Sequence, residues 1–270
     1  MTDALHFFGL ESMDDDHHWR MEVVPELTTP GHFLFGGCGL GAGLAALEAA
    51  TGRQTVWATA QYLSFAPTGA VLDLDVLVAA AGKRVSQARV VVRSDDKEIL
   101  TVNAAVGSPG TLDVDQVWVD PPDVPRPEEC PPRRLPDYDL PSIFDRIDVR
   151  LAHGRTFEEL RSGAAFAPLP SSALWAKVPG HLDPSAATLA IFADYLTGAV
   201  SQSVGRSVMS RSLDNTLRVV QLETTEWVLC ENRIHSVVGG HAEGNVFLWS
   251  ERGTLLAVAS QSMSVRLWEQ

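Results

Sequence analysis

The chain has 270 residues, 45% of them hydrophobic, and a formal charge of −13 from 34 acidic and 21 basic side chains. That length suits one large domain or two of about 100–150 residues, with enough apolar content for a packed core. The charge repels phosphate backbones and anionic lipid surfaces, and no basic run exceeds Arg133-Arg134, which argues against nucleic-acid binding. An anionic ligand would need a local basic patch, which the sequence does not locate.

Three cysteines, Cys38, Cys130 and Cys230, are odd in number and lack paired metal-ligand spacing, as expected of a reduced, cytoplasmic protein without a metal site. The first six residues have neither a basic start nor an apolar core, so no signal peptide is expected. No apolar stretch reaches about 18 residues, so no membrane insertion is expected. The cluster Asp14-Asp15-Asp16-His17-His18 reads as a solvated turn before the first strand, since adjacent residues rarely converge on one ion.

Residues 36–50 read as a helix that is apolar nearly all round. Leu40, Leu44 and Leu47 recur at helical spacing, and Gly52 stands as a C-terminal cap. Such a helix must be surrounded by protein. Each interior glycine costs about 1 kcal/mol relative to alanine, so close approach of a sheet or a ligand is expected at the helix start. The glycines of Gly39-Leu40-Gly41-Ala42-Gly43 imitate a dinucleotide fingerprint, but the next strand, 54–65, carries no acid. No cofactor is predicted.

Strands follow. Residues 71–78 alternate, with Leu72, Leu74, Val76 and Val78 on one face. Turns at Gly82-Lys83 and Asp95-Asp96 then separate strands 86–93 and 98–106. One buried helix followed by long antiparallel strands predicts an α+β arrangement with the sheet wrapped around the helix.

Residues 108–141 hold nine of the sixteen prolines and read as a semi-rigid, extended connector. The chain then repeats itself. A second apolar helix, entered at Asp183-Pro184 with a stripe of Leu189, Phe192, Ala193, Leu196 and Val200, precedes strands near 213–220, 227–236, 244–250 and 254–267. The offset is about 155 residues. Residues 99–105 align with 255–261, and Ala105 of the first copy becomes Gln261 in the second. The expected organisation is therefore a first repeat at 1–107, a linker at 108–141 and a second repeat at 142–270.

Gln261 is the sharpest site signal. Ala257, Ala259, Gln261, Met263, Val265 and Leu267 share one face of the last strand, which is otherwise apolar. A primary amide there must find partners or cost about 1–3 kcal/mol. It is either a satisfied core glutamine or an amide that holds water or a substrate carbonyl. Asp214 begins a strand whose alternation points it outward. His235 and Ser236 end another strand, where the histidine is a base, an orienter or a solvated group. Cys38 sits at a helix start, as a nucleophile or as a small packing residue.

The chain resembles the acyl-CoA thioesterase II family, whose members fuse two hot-dog folds in one polypeptide. The resemblance rests on Phe35-Gly36-Gly37, Gln61-Tyr62-Leu63, Ser212-Leu213-Asp214, Glu226-Trp227-Val228-Leu229, Gly253-Thr254-Leu255-Leu256-Ala257 and Ser260-Gln261, spread over nearly the whole chain. It implies a double hot-dog fold and hydrolysis of an acyl-CoA by activated water, without a covalent intermediate. The family's Asp and Gln fall on Asp214 and Gln261. Its threonine falls on His235, with Ser236 beside it, and either would replace the hydroxyl. Many relatives carry Gln where this chain has Cys38. Gly36, Gly37 and Cys38 would meet the substrate, with backbone N–H groups at the helix start facing the oxyanion. The alternative is a non-catalytic acyl-CoA or lipid-binding protein that kept the cleft. Exposed sheet edges would favour a homo-oligomer.

Overall fold

A computed structural model describes residues 3–13, 15, 17–108, 110, 114–133, 141–162, 168–169, 171–179 and 182–268. Asp14, Asp16 and Arg134 lie outside them, as does part of the proline-rich segment.

The first half begins with α1 (Ala4–Phe8), β1 (Glu11–Ser12) and β2 (His18–Glu22). The apolar helix α2 (Gly36–Thr51) follows, closed by Gly52 at φ 61° as its left-handed cap. The meander is β3 (Gln54–Tyr62), β4 (Val71–Ala80), β5 (Val85–Ser94) and β6 (Lys97–Gly107). The second half comprises β7 (Asp148–His153), α3 (Phe157–Arg161), β8 (Ser171–Lys177), α4 (Ala186–Ala193), α5 (Leu196–Val204), β9 (Val208–Ser212), β10 (Asp214–Val219), β11 (Val228–Val238), β12 (His241–Ser250) and β13 (Leu255–Leu267).

All pairings are antiparallel, in the order β1-β2-β4-β5-β6-β3-β10-β13-β12-β11-β8-β7, with β9 on β13. The two halves join where β3 meets β10, from Asp214 opposite Gln61 to Arg218 opposite Trp57. Thr59 and Thr216 share a hydroxyl hydrogen bond of 2.8 Å across that seam. The predicted wrapping is therefore realised twice. One main core takes side chains from α2, α4 and the inner faces of both half-sheets, so neither helix could keep its burial without the other half.

The glycines of α2 serve two approaches: Gly39 and Gly43 face Leu100 and Val102 of β6, as expected of a nearby sheet, and Gly37 and Gly41 face the second helix. A Cβ on Gly37 would stand 2.8 Å from the Ile191 Cα, and one on Gly41 would stand 2.9 Å from the Ala187 carbonyl oxygen. The missing side chains let α2 and α4 cross backbone to backbone. The second helix also departs from expectation: it starts from Ser185, whose hydroxyl accepts the Thr188 N–H, and not from Asp183. It breaks into α4 and α5 at Asp194 and Tyr195.

The described part of the proline-rich segment carries one 3-10 turn, Pro127–Glu129, and is tied down. Trp175 Nε1 donates to the Pro125 carbonyl at 2.9 Å, and Val124 and Cys130 cover an outer-face cluster that includes Trp175, Trp227 and Trp249. Arg133 N–H and Leu151 N–H bond across to Val149 and Pro131, so prolines line the outer edge of β7. At the other end β1 is only two residues long. Both ends of the sheet are thus partly blunted. No helix among the described residues is long and apolar enough to cross a membrane.

Candidate active site

The seam between the halves opens at one end. Tyr62 N–H still reaches the Leu213 carbonyl at 3.0 Å, but beyond it the chain turns away, and Leu63 and Ser64 donate to Ile99. On the other side β9 follows β13 alone. A cavity of about 340 Å³ fills the gap, lined by apolar groups such as Phe33, Phe35, Leu63, Leu100 and Val208 and by the polar Gly36, Asp194 and Ser212. The strand expected over 54–65 ends at Tyr62 for this reason.

Gln261 lies behind the cavity lining, 2% exposed and bonded to the lining residues Asp194 and Ser212, on the inward face that alternation assigned to it. Its Nε2 donates to Asp194 Oδ1 at 2.5 Å and to Ser212 Oγ at 3.0 Å. A carboxylate can only accept, which fixes the amide's orientation. Its Oε1 is buried and has no partner among the described residues. Asp194, also 2% exposed, sits at the break between α4 and α5. Its Oδ2 accepts the Gly37 N–H at 2.8 Å, and its Oδ1 also accepts the Ser212 hydroxyl at 3.3 Å.

A carboxylate against the first turn of α2 meets unpaired backbone N–H groups and the positive end of the helix dipole. Burial nevertheless dominates and raises Asp194 to about 6, opposed by the hydrogen bonds from Gln261, Gly37 and Ser212. Tyr62, from the first repeat, donates to the Gly36 carbonyl at 2.9 Å and pins the helix start. Burial, with Asp194 adding to it, pushes that phenol well up, so it stays a donor.

Several residues singled out from the sequence stand elsewhere. Asp214 faces outward, as alternation suggested, and its Oδ1 accepts the Ser262 N–H at 2.7 Å. The structure does not bring it to the Gln261 amide. His235 is the extra residue of a bulge in β11, half exposed and 3.5 Å from Glu243. Ser236 beside it is exposed, and neither lines the cavity. Both lie on the end of β11 that is exposed on either face, and the hydroxyl beside Gln261 belongs to Ser212. Cys38 is sealed in the core, where burial pushes its thiol far up, so it is a packing residue. Gly36 lines the cavity, and Gly37 holds Asp194. All three cysteines are buried and free.

Asp194 and Ser212 were missed because their signals were faint. An aspartate inside an otherwise hydrocarbon helix stripe was the available clue to the first. Among the described residues no cluster of His, Cys, Asp and Glu could hold a metal ion.

Comparison with known proteins agrees with this architecture. Residues 24–107 match the acyl-CoA thioesterase N-terminal domain and residues 127–265 the acyl-CoA thioesterase C-terminal domain. No curated protein matches significantly. A protein of Novosphingobium aromaticivorans, assigned provisionally as a thioesterase, is 34% identical over 97% of this chain and 98% of its own, with a TM-score of 0.83. Two more distant structures share the fold. One is a hot-dog protein of unknown function from Alicyclobacillus acidocaldarius, 19% identical over 100% of both chains, with a TM-score of 0.84. The other is an acyl-CoA thioesterase II from Mycobacterium marinum, 20% identical over 98% of this chain and 99% of its own, with a TM-score of 0.75. The chain therefore belongs to the acyl-CoA thioesterase II family: it is a thioester hydrolase built from two tandem hot-dog repeats.

Proposed function

We propose that the enzyme hydrolyses a fatty acyl-CoA with Asp194, and not Asp214, as the general base. The observation that carries this is the convergence of Gln261 and the Gly37 N–H on Asp194 and Ser212, two lining residues of a largely apolar cavity. The acyl chain lies against the hydrocarbon lining, with its thioester carbonyl toward Gly36 at the start of α2. Gln261 and Ser212 hold a water in line with the carbonyl carbon. As the water oxygen attacks, Asp194 takes its proton. The oxyanion is stabilised by the helix N-terminus. Collapse of the intermediate breaks the C–S bond, and Asp194 returns the proton to the CoA thiolate, giving free acid and CoA thiol.

The site is composite, since Gly36, Gly37 and Tyr62 come from the first repeat and Asp194, Ser212 and Gln261 from the second. Asp194→Asn should lower kcat/KM for acyl-CoA at least about 100-fold, the scale of a lost general base. Asp214→Asn should change it less than about threefold, as for an outward-facing group whose loss deprives no cavity residue of a partner. Steady-state thiol release measures both. The opposite ranking would return the base to Asp214 and end this proposal.

A further inference from the structure

The anionic half of the substrate has no provision in the site described so far, and a chain of charge −13 repels it. The described cavity lining contains one basic side chain, Arg211 on β9. Its guanidinium lies 4.5 Å from the centre of the Phe65 ring and has no carboxylate partner among the described residues. Arg211 also lines a second, shallower depression of about 290 Å³ with Met209, Ser264 and Arg266.

The register explains why these residues meet. Met209 stands opposite Arg266 and Arg211 opposite Ser264 in the β9–β13 pair, so all four project from one face. The two arginines are diagonal neighbours, Cβ atoms about 7–8 Å apart, close enough for both guanidinium groups to reach one diphosphate. Arg266 spends Nε and Nη2 on the Met209 sulfur at 3.4 and 3.1 Å, a weak acceptor that phosphate oxygens readily replace. Two residues on, Trp268 lines the main cavity and is 57% exposed, which offers a flat surface to a purine. On the far side of Phe65 the depression is lined by Asp95 and Asp96 with Lys97, so the acidic turn disfavours phosphate there and leaves the β9–β13 side.

We infer that Arg211, Arg266 and Trp268 form a nucleoside-diphosphate subsite, which selects thioesters of CoA over thioesters lacking a nucleotide. This rests on the proposed acyl-CoA hydrolysis, since Arg211 belongs to both cavities and joins them. Ser212, its neighbour in sequence, touches Asp194 and Gln261, and the strand rises about 3.3 Å per residue. The phosphates would therefore sit within one pantetheine arm of the reacting carbon.

The test compares one acyl group carried by CoA and by N-acetylcysteamine, which has no phosphate. The wild-type enzyme should prefer the CoA ester in kcat/KM, and the preference should weaken as salt rises. R211A/R266A should cut that preference at least about tenfold, through KM, the scale of lost phosphate contacts, while Arg211→Lys with Arg266→Lys restores part of it. Equal handling of the two esters by wild type, or an unaltered preference in R211A/R266A, overturns the subsite. Hydrolysis of neither ester refutes the acyl-CoA reading instead. Calorimetric binding of free CoA, weakened at least about tenfold by R211A/R266A, then upholds the subsite, and unweakened binding removes it.

Discussion

The two central helices start from the same duplicated plan and end differently. Counted from each helix start, Leu44 of α2 corresponds to Asp194, and the strand alignment sets Ala105 against Gln261. All four side chains are buried. A pseudo-symmetric pair of hot-dog repeats offers equivalent positions at both ends of the helix crossing. Only one end carries the acid and the amide, while the other carries hydrocarbon. The apolar end leaves α2 as one unbroken helix of 16 residues. The polar end coincides with the break between α4 and α5, a buried carboxylate and an amide oxygen without a partner among the described residues. Duplication thus separates two duties that one copy would have to combine: packing in one place and buried polar chemistry in the other.

Making the polar end resemble the apolar one should cost most. Gln261→Ala gives the second repeat the residue found at Ala105. It should lower kcat about 100-fold, with little change in fold as judged by circular dichroism, because the water loses its positioning amide. Survival of half the wild-type rate would show the amide to be a core group only.

The pH dependence sharpens the same contrast. Asp194 must be ionised to act as base, so kcat/KM should fall about tenfold per pH unit below about 6 and level off above it. Its effect on stability has the opposite sense. The folded value, about 6, lies above the ordinary 3.8, so between them the native state holds a proton that the unfolded chain has released. The stability contributed by this group is complete below about 3.8 and is lost as pH rises to about 6. Asp194→Asn, which cannot ionise, should therefore be more stable than wild type at pH 8, by up to about 3 kcal/mol, with the gap closing toward pH 4. Urea titrations at both values measure it, and a variant less stable at pH 8 would mean that the carboxylate's hydrogen bonds outweigh its burial.

A smaller effect tests the crossing that places the site. Gly37→Ala inserts a Cβ within 2.8 Å of the Ile191 backbone and 3.0 Å of the Asp194 Cβ. The helices must part slightly, with a loss of about 1–3 kcal/mol and a lower kcat from a displaced carboxylate. An unchanged Tm and rate would show that the crossing has room to spare.

Much of the fold was legible in one dimension. The repeat, the alternating strands 71–78, 86–93 and 98–106, the buried helix and its Gly52 cap all rest on local periodicity and local backbone preference, which survive without knowledge of neighbours. Gln261 was legible for the same reason, as one polar residue in a period-two apolar row. Asp194 was not, because a helix stripe that admits alanine also admits a short polar side chain without breaking its period. The resemblance drew attention to Asp214, whose carboxylate accepts the Ser262 N–H, a contact that neither alternation nor resemblance indicated. Likewise, the spacing from Trp227 that pointed to His235 could not register that this end of β11 runs out beyond the core, with both of its faces in solvent.

The sequence by itself determined two helix-and-sheet repeats, their strand faces and the buried amide, since each follows from which side chains must leave water. The tertiary structure decided what that amide meets. Asp194 stands 18 residues from Ser212 and 157 from Gly37 along the chain. They converge because the glycine-rich α2 crosses α4 and a seam between half-sheets opens, and contacts between distant segments leave no period for a sequence to display.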